Sequence, residues 1–449
     1  MKIKAFLIIL LLSTLACLSG NGEGQPSLSP QDAVSTSVAA TLIAESGGPQ
    51  QRPPSTQAPP NQESPTQEPQ TQAPPVCQPQ HPGAQSLQLP SVFAVGSTAD
   101  VGLVNIVDFQ GNTIGSKILT GLSWLDPDHI HFSTGVSAGV TSIPVTFHSL
   151  ANGDTLKLEQ NGTVTQLAQI AGFLVIAGEN GGGYIAYSQY ASVQSGWSSS
   201  LYATSYGDAA AAQVRVTRNE GDGYVLWPLA VHTINGQVQG VWYTESMYGI
   251  GNIIFHPYRD LLYLDVTNNQ VISYLGNNAV LAGLSPDHTW AAYGQDPGSS
   301  PGQPQGSLIL KNLVTCQEVT LNFHATSNLG GGWVSFSPDN QMIAWLEASG
   351  LNPMQATLRL RVARIDGTLI VDAPISNLTG LAGGDIPSWI TPIGWSDNHL
   401  LFLEIRIVGS PDPLVVMWAP DQTQPLDPAL GANQSVLLSS GNFMGFLYP

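Results

Sequence analysis

The sequence predicts an all-β protein built from repeated units of about fifty residues. Glycine (47 residues) and proline (33) are frequent among the 449 residues, and only 10% of residues are charged. This composition favours short strands and turns over helices. Aromatic residues that close apolar strands recur every 50 to 57 residues, at Phe132, Tyr187, Tyr243, Tyr293, Trp345 and Phe402. Self-similarity at this period indicates units that stack or radiate from an axis.

Each unit begins with a recurring turn. The stretch "LSPDHTWAAYGQ" starts at Leu284, "FSPDNQMIAWLE" at Phe336 and "WSDNHLLFLE" at Trp395. We expect the acid in each turn to cap the backbone, a role shared by Asp287, Asp339 and Asp397. A second hairpin follows, as at Asp366-Gly367 in "LRLRVARIDGTLIV". Three to four strands in each unit are the content of a β-propeller blade.

The two ends of the domain each match half of a unit. The C-terminal "VLLSSGNFMGFLYP" resembles a first half, and "VGLVNIVDFQGNTIGSKI" near the start resembles a second half. If they share one blade, pairing of the N- and C-terminal strands closes the ring and removes exposed edges. We therefore predict a seven-bladed β-propeller over residues 91–449. Six or eight blades remain open, because the unit between Gly223 and Asn278 is irregular.

The Ser-Pro-Asp turns, together with the "IAW"-like strands that follow them, resemble TolB-like and related Trp-Asp-like extracytoplasmic propellers. The resemblance covers residues 91–449 and implies the fold and a binding surface rather than a particular reaction. That family usually has glycine after the aspartate, and here His288, Asn340 and Asn398 take its place. The type of turn is therefore left open.

The N-terminus has the features of an export signal. Lys2 and Lys4 precede an apolar run that is too short for a stable membrane span. The following Thr14-Leu15-Ala16-Cys17 resembles a bacterial lipoprotein signal, although that family usually has leucine where Thr14 stands. Residues 1–17 are then the signal peptide, and Cys17 carries the lipid. We expect a domain anchored to the bacterial cell membrane on its extracytoplasmic side; the alternative is an ordinary secretory signal.

The composition of residues 18–90 predicts a disordered tether. A Pro/Gln/Thr-rich composition leaves almost nothing to bury, and a short helix over residues 32–44 is the one ordered element expected there. Two cysteines remain besides Cys17. In an oxidising compartment Cys77 and Cys316 can pair, or each can stay a thiol.

Charge limits the partners. The formal net charge is −18, from 13 basic and 31 acidic residues. Nucleic acid is a poor partner, because phosphate binding needs clustered lysine and arginine. An acidic surface also repels anionic lipid headgroups, so membrane contact is expected only through the N-terminal lipid.

No motif for a catalytic centre, a cofactor or a metal is present, so we expect no cofactor. His129 and His131 fall on one face of a strand, but nothing supplies a third metal ligand. The acidic, glycine-rich segment from Arg218 to Gly223 is interpreted as a turn. Trp197 stands in a polar stretch, "SVQSGWSSS", and is a candidate exposed contact in a loop.

One periodic feature suggests a binding site. A polar residue follows each strand-closing aromatic by two positions, and a spacing of two keeps the same side of a sheet. The members are Thr134, Gln189, Glu245, Gln295, Glu347 and Glu404. Such a ring could bind a cation or a polar ligand such as a sugar or peptide. Alternatively, a strand that ends at a surface loop simply needs a polar residue there.

The sequence thus predicts a monomeric cell-envelope lipoprotein whose propeller binds an unknown envelope protein or polysaccharide without catalysis. The alternative is a propeller-type enzyme that cleaves glycans with carboxylates of Glu245, Glu347 and Glu404. That chemistry needs two carboxyl groups roughly 5 to 10 Å apart.

Overall fold

The computed structural model describes residues 77, 79–87, 89–97, 100, 102–119, 130–132, 143, 145–149, 155–169, 173–178, 183–193, 196–219, 223–247, 254–255, 258–295, 306–396, 399–421 and 435–447. Within these residues the chain forms 28 strands and four short 3₁₀ helices. The helices are Tyr206–Ala211, Pro353–Gln355, Ile375–Asn377 and Thr379–Ala382.

In chain order the strands are β1 (Val92–Gly96), β2 (Leu103–Asp108), β3 (Thr113–Ile118), β4 (Ile130–Phe132), β5 (Val145–Ser149), β6 (Thr155–Gln160), β7 (Thr163–Gln169), β8 (Phe173–Gly178), β9 (Tyr184–Val193), β10 (Gly196–Ser205), β11 (Val214–Arg218), β12 (Tyr224–Ile234), β13 (Gln237–Met247), β14 (Tyr258–Asp265), β15 (Gln270–Ser273), β16 (Ala279–Leu284), β17 (Trp290–Gln295), β18 (Ser307–Asn312), β19 (Glu318–Asn322), β20 (Gly330–Phe336), β21 (Met342–Ser349), β22 (Thr357–Arg364), β23 (Leu369–Pro374), β24 (Pro387–Trp395), β25 (Leu401–Ile407), β26 (Leu414–Trp418), β27 (Ser435–Ser440) and β28 (Asn442–Leu447).

The described strands form an all-β propeller of antiparallel sheets. Five sheets have four strands each, and one sheet has eight. The four-stranded sheets have the orders β28-β1-β2-β3, β4-β5-β6-β7, β8-β9-β10-β11, β20-β21-β22-β23 and β24-β25-β26-β27. Within a sheet, consecutive strands pair with their neighbours along the chain, as expected for blades joined by short hairpins.

The eight-stranded sheet contains β12 to β19, where the sequence predicts two separate blades. Strand β15 is four residues long and pairs only with the second half of β14, from Leu262 to Asp265. The first half of β14 therefore keeps an open edge, and there it pairs with β16, Tyr258 with Leu281 and Arg259 with Val280. The predicted seven separate sheets are thus not observed among the described strands.

The ends of the domain pair in one sheet, as the two half-units predict. Strand β1 pairs with β2 on one side and with β28 on the other. Phe93 lies opposite Phe446 in this pairing. The ring of Phe446 also lies 5.2 Å from that of Phe402 in β25, so the closing strand packs on the neighbouring sheet. Two ends far apart in sequence therefore complete one blade.

Apolar side chains fill the space between neighbouring sheets. Leu308 of β18 belongs to one cluster with Trp345 of β21, and Phe93 of β1 belongs to another with Phe402 of β25. Trp345 is 1% exposed and Phe402 is fully buried. These strand-closing aromatics therefore pack between sheets, as predicted, and do not form a ligand cage.

The Ser-Pro-Asp turn between β20 and β21 is capped as the sequence predicts. The hydroxyl of Ser337 donates to Oδ1 of Asp339 at 2.7 Å. The same carboxylate oxygen accepts the backbone N–H of Gln341 at 3.0 Å, and the Ser337 hydroxyl accepts the N–H of Met342 at 2.8 Å. The aspartate is therefore bound to its own turn, a local role.

The turns of three successive repeats are also bonded to one another, which the sequence does not reveal. The residues in the left-handed conformation are His288 (φ 62°), Asn340 (φ 56°) and His399 (φ 58°). The side-chain amide of Asn340 donates to Oδ2 of Asp287 at 2.8 Å, and Nε2 of His399 lies 2.7 Å from Oδ2 of Asp339. Burial raises the pKa of Asp339, but hydrogen bonds from Ser337, His399 and the Gln341 N–H outweigh it and lower that pKa.

Several predicted features lie outside the described residues: Cys17 with the signal peptide over residues 1–17, the tether as far as residue 76 with its helix at residues 32–44, His129, Thr134, residues 220–222, Asp397 and Asn398. In the part of the chain that is described, no helix is long and apolar enough to cross a membrane.

Candidate functional site

Glu347 of the predicted ring is buried in a network of hydrogen bonds. Its side chain has 0% exposure. One carboxylate oxygen accepts from Nη1 of Arg361 at 2.7 Å and from Nε1 of Trp345 at 3.0 Å. The other accepts from the backbone N–H of His324 at 2.8 Å and from the hydroxyl of Ser327 at 2.7 Å. Both oxygens are thus engaged by the protein, and Glu347 holds the segment between β19 and β20.

Glu245 lies between two guanidinium groups. Arg218, at the end of β11 in the preceding sheet, donates from Nε at 2.8 Å. Arg259 of β14 donates from Nε at 2.9 Å and also from Nη2. The Arg259 guanidinium sits 4.0 Å from the ring centroid of Tyr224, a cation–π contact. The carboxylate therefore links two sheets in an ion-pair network.

Glu404 stabilises the contact between β25 and the strand that closes the propeller. One oxygen of its carboxylate accepts the backbone N–H of Phe443 in β28 at 2.9 Å. The other lies 3.4 Å from Nη2 of Arg406. The bond to Phe443 joins β25 to the strand that completes the neighbouring sheet.

The two amides of the ring lie at different strands and have different surroundings. Oε1 of Gln189 accepts a long hydrogen bond of 3.4 Å from the hydroxyl of Tyr202, and Gln295 is exposed at the end of β17. None of these hydrogen bonds joins two members of the ring. Among the described residues no group of three His, Cys, Asp or Glu could hold a metal ion. This geometry favours the alternative that these residues satisfy strand ends and neighbouring sheets.

For two further candidates, Trp197 and His131, the structure describes the backbone but not the side chain. Trp197 lies in β10 and pairs with Ser192 of β9, so it belongs to a strand and not to the predicted loop. His131 lies in β4 and pairs with Thr146.

The structure contains a cavity on the propeller axis that the sequence does not predict. Its volume is about 380 Å³. Strands β12, β16, β20, β24 and β28, one from each of five successive four-strand runs, contribute to its wall, as do two residues that precede β1, Leu87 and Pro90. The wall is mixed, with somewhat more carbon than polar surface, and Ser285, His288 and Ser335 supply its polar side chains. Cavities of this size and character are typical of sites for small or slender ligands.

The described residues between Cys77 and Pro90 (77, 79–87, 89 and 90), here called the N-terminal strap, run across one end of the sheets. Cys77 forms a disulfide bond with Cys316, in the turn between β18 and β19. Further along, the N–H of Gln85 donates to the carbonyl oxygen of Asp287 at 3.0 Å. The strap lies in the predicted tether, but its contacts belong to the propeller. Described contacts with the propeller are therefore present from Cys77 onward, before residue 91.

His81 is the central polar anchor of the strap. Its Nε2 lies 2.8 Å from the carbonyl oxygen of His288, which can only accept, so Nε2 carries the proton. Its Nδ1 accepts the N–H of Gly83 at 3.1 Å. A Cβ on Gly83 (φ 120°) would lie 2.8 Å from Cδ1 of Ile234. Glycine there lets the strap lie close to β12.

His81 of the strap forms one cluster with His232 and His288 beneath it and with three aromatic residues, Trp242, Tyr263 and Tyr274. The ring centroids of His81 and His232 are 6.4 Å apart, and those of His232 and His288 are 5.4 Å apart. The Trp242 ring stacks on His81 at 5.8 Å, and Tyr263 donates or accepts a hydrogen bond at Nδ1 of His232 over 3.1 Å. The cluster therefore spans the strap, β12, β13, β14 and the turn after β16.

Burial lowers the pKa of all three histidines. It brings the pKa of His232 to about 4, with His81 acting in the same direction. The pKa of His288 is held well below its ordinary value by burial, and then by His232 and His81. For His81 burial also dominates and lowers the pKa, against the opposing effects of the His288 carbonyl and the Asp287 carboxylate. The cluster is therefore uncharged at neutral pH.

A second segment, between β13 and β14, packs against strand β20. Ile254 and Phe255, between β13 and β14, are buried in the cluster that joins β20–β23 to β24–β27. Nε1 of Trp333 donates to the carbonyl oxygen of Ile254 at 3.1 Å. A Cβ on Gly332 would lie 2.7 Å from the ring of Phe255. Thus β20 contacts a segment from two four-strand runs away.

The comparisons with known proteins give similarity of fold. No protein-family model and no curated protein matches the sequence. TolB from Acinetobacter baumannii is similar in structure at 14% identity and a TM-score of 0.38, over 78% of this chain and 80% of that one. An oligogalacturonate lyase in complex with manganese is similar at 13% identity and a TM-score of 0.41, over 76% and 85%. A puromycin hydrolase is similar at 13% identity and a TM-score of 0.45, over 78% of this chain and 58% of that one.

A repeated glycine was the available signal for the close packing of the inner strands. Gly283 and Gly394 occupy similar positions in inner strands, each two residues before a serine that begins a turn. A Cβ on Gly283 would lie 2.9 Å from Cβ of Val334 in the next inner strand, and one on Gly394 would overlap the ring of Phe446. Glycine inside a strand marks close approach of another backbone. The strap had a weaker signal, a histidine and two leucines in a Pro/Gln-rich segment.

Proposed function

We propose that this chain is an exported lipoprotein whose propeller binds another protein of the cell envelope without catalysis, and that an extended polypeptide segment enters its axial cavity. The observation that carries the proposal is the contact of the strap with that cavity. Leu87 and Pro90, in a stretch without regular structure, already line the cavity wall. A chain with leucine and proline side chains therefore fits this end of the axis.

The character of the wall favours a polypeptide over a polysaccharide. Leu229, Val334, Phe336 and Ile393 present carbon to the cavity, and few polar side chains interrupt them. A saccharide offers many hydroxyl groups, and burying them without partners is costly. An extended peptide can instead insert alternate apolar side chains. A polypeptide is thus the better match in polarity.

We further propose that the ring has seven blades, with the eight-stranded sheet counted as two. Strands β12–β15 and β16–β19 are each an antiparallel run of four, linked to each other by two residue pairs. A buried cluster packs Trp242 and Tyr263 of the first run on Leu281 and Ala291 of the second. Packing face to face in this way is how blades meet in a propeller.

Placement outside the cytoplasm is supported by the disulfide bond. Structural disulfides persist in oxidising compartments and are rare in the cytosol. Together with the signal-like "STLAC" ending at Cys17, the Cys77–Cys316 bond supports export and lipidation. Mass spectrometry of the N-terminal peptide from a membrane fraction tests this. We expect a lipid-modified Cys17; a soluble chain with an unmodified Cys17 contradicts the anchor.

Binding is tested with the full chain on synthetic peptide and glycan arrays in parallel. The variant Ala230→Trp fills the cavity, because Ala230 lies in its wall. The matched control is Ala211→Trp, on an exposed position of the helix Tyr206–Ala211. We expect leucine- and proline-containing peptides to bind wild type and Ala211→Trp but not Ala230→Trp.

Other outcomes decide between the functions. Binding of peptides that Ala230→Trp does not weaken contradicts the axial site. Binding of glycans alone contradicts the choice of a polypeptide. Release of glycan fragments supports the glycan-cleaving alternative.

A further inference from the structure

We propose that His81, His232 and His288 form an acid-sensitive latch, which holds the N-terminal strap on the propeller at neutral pH and releases it in acid. The proposal concerns the attachment of the strap and holds whether or not a ligand enters the axial cavity.

The hydrogen bonds of His81 require its neutral form. Nε2–H donates to the His288 carbonyl, and the unprotonated Nδ1 accepts the Gly83 N–H. A second proton would go to Nδ1, because that is the free basic nitrogen of the ring. The imidazolium would then face the Gly83 N–H with a donor instead of an acceptor. Protonation therefore breaks a hydrogen bond inside the strap and places a charge in a half-buried site.

The two histidines beneath the strap have no place for an added proton. Nε2 of His232 and Nδ1 of His288 are buried and make no hydrogen bond, and neither does Nε1 of Trp242. His232 is fully buried and His288 is 4% exposed. A charge on either ring would be buried away from water while the strap is attached; at His232 the Gly83 backbone favours the charged form, but burial outweighs it and lowers the pKa. Release of the strap exposes these nitrogens to solvent, so protonation and release favour each other.

The groups that face the cluster offset these charges only in part. From the turn after β16, the Asp287 carboxylate raises the pKa of His81, but burial outweighs it. That carboxylate already accepts from Ser285, Thr289 and Asn340.

The remaining neighbours are two tyrosines and a lysine. Burial raises the pKa of Tyr274 to about 12 and raises that of Tyr263 as well, so both phenols stay neutral in acid. Lys311 of β18 donates to the Tyr274 carbonyl oxygen at 3.2 Å, and it adds positive charge to this side of the cluster.

The lowered pKa values of the histidines determine that attachment of the strap weakens as the pH falls, and over which pH range. A histidine in the released strap or in open solvent has a pKa of about 6.5. The attached state therefore takes up fewer protons than the released state below that pH. Attachment is fully stable above about pH 6.5 and weakens as the pH falls toward the pKa of about 4 of attached His232. The Cys77–Cys316 disulfide keeps the released strap tied to the propeller, so release is reversible.

Amide hydrogen exchange of the full chain, followed by mass spectrometry from pH 7.5 to 5.0, tests the latch. The readout is the protection factor of the strap peptide containing the Gly83 and Gln85 amides, corrected for intrinsic exchange. We expect protection to fall about tenfold per pH unit below pH 6.5, since at least one proton is taken up on release. Peptides from β21 and β25 should keep their protection.

The matched variant is His81→Gln, whose amide can still donate to His288 and accept from Gly83 but does not titrate. Its strap protection should fall less steeply with pH than in wild type, because only His232 and His288 still titrate, whereas the control His324→Gln, a histidine outside the cluster, should respond like wild type. Strap protection in wild type that does not change with pH overturns the proposal, as does a parallel fall in His81→Gln. If His81→Gln fails to fold, the ring resonance of His81 in the wild-type chain decides. Titration of that resonance with the loss of protection supports the latch, and an unshifted resonance down to pH 5 overturns it.

Discussion

Cys77 and Cys316 are joined by a disulfide bond across 239 positions of sequence, and their Cα atoms lie 5.3 Å apart. The bond fixes the start of the N-terminal strap to the turn between β18 and β19. A pull on the segment that precedes Cys77 is therefore passed to this turn before it reaches β1, which closes the ring with β28.

Replacing both cysteines with alanine should destabilise the domain. A disulfide that closes a long loop stabilises mainly by restricting the unfolded chain, by about 2–4 kcal/mol. Urea unfolding of the double variant measures the loss, with Thr315→Ala next to Cys316 as the control. The same midpoint in the double variant and in oxidised wild type would contradict a structural role for the bond.

Glu347→Gln should lower stability, because it removes the closer of the two carboxylates at the buried guanidinium of Arg361 and leaves only Asp372, 3.8 Å from Nε. Breaking a buried ion pair by removing one partner typically costs about 3–5 kcal/mol. The control is Glu318→Gln, an exposed glutamate on β19, which should change the free energy of unfolding by less than about 0.5 kcal/mol. Equal and small effects of the two substitutions would return Glu347 to the list of candidate ligand residues.

Gly394→Ala should weaken the closure of the ring. Its new methyl group would overlap the Phe446 ring of β28, and overpacking of this kind costs about 1–3 kcal/mol. Gly380→Ala is matched to it, because a Cβ on Gly380 meets no atom within 4 Å. Thermal unfolding should show a lower midpoint for Gly394→Ala only. If both variants melt like wild type, the inner strands are not packed as closely as the structure indicates.

Gly83→Ala should loosen the strap without unfolding the propeller. Alanine is strained at a φ of 120°, and its Cβ would press on Ile234 of β12. Hydrogen exchange at pH 7.5 should show lower protection in the strap peptide and unchanged protection in β12 and β13. Ala84→Gly at the exposed neighbouring position serves as the comparison and should leave the strap protected. A strap equally protected in Gly83→Ala would place its anchorage elsewhere.

The fold was largely readable from the sequence, because its signals are local and repeated. The turn at Ser337 to Asp339 carries its own capping groups, and the half-units at the two ends predicted that the terminal strands share one sheet, in which Phe93 lies opposite Phe446. The number of separate sheets could not be predicted from the sequence. It depended on the short length of β15, which lets Tyr258 pair with Leu281.

The site was much less readable, because the partner of a polar side chain is set by tertiary contacts. A glutamate two positions after Trp345 has the same pattern whether it faces a ligand or Arg361, and Arg361 lies in the next strand. His81 stands in a Pro/Gln-rich segment whose composition predicts disorder. Its partner His288 is 207 positions away, and no local pattern connects the two.

The proposals depend on the contribution of the N-terminal strap, through Leu87 and Pro90, to the wall of the axial cavity. Ser335→Cys in the cavity wall, made with Cys17→Ser, reports on access through its rate of alkylation at pH 7.5. The rate is compared between the chain with an intact strap and one whose strap is released by His81→Ala with Cys77→Ala and Cys316→Ala. A cysteine at exposed position 410 (Ser410→Cys) corrects for reagent and pH. We expect alkylation at position 335 to be at least about tenfold faster after release, as for a site that reacts through local opening. The same corrected rate in both forms would contradict it.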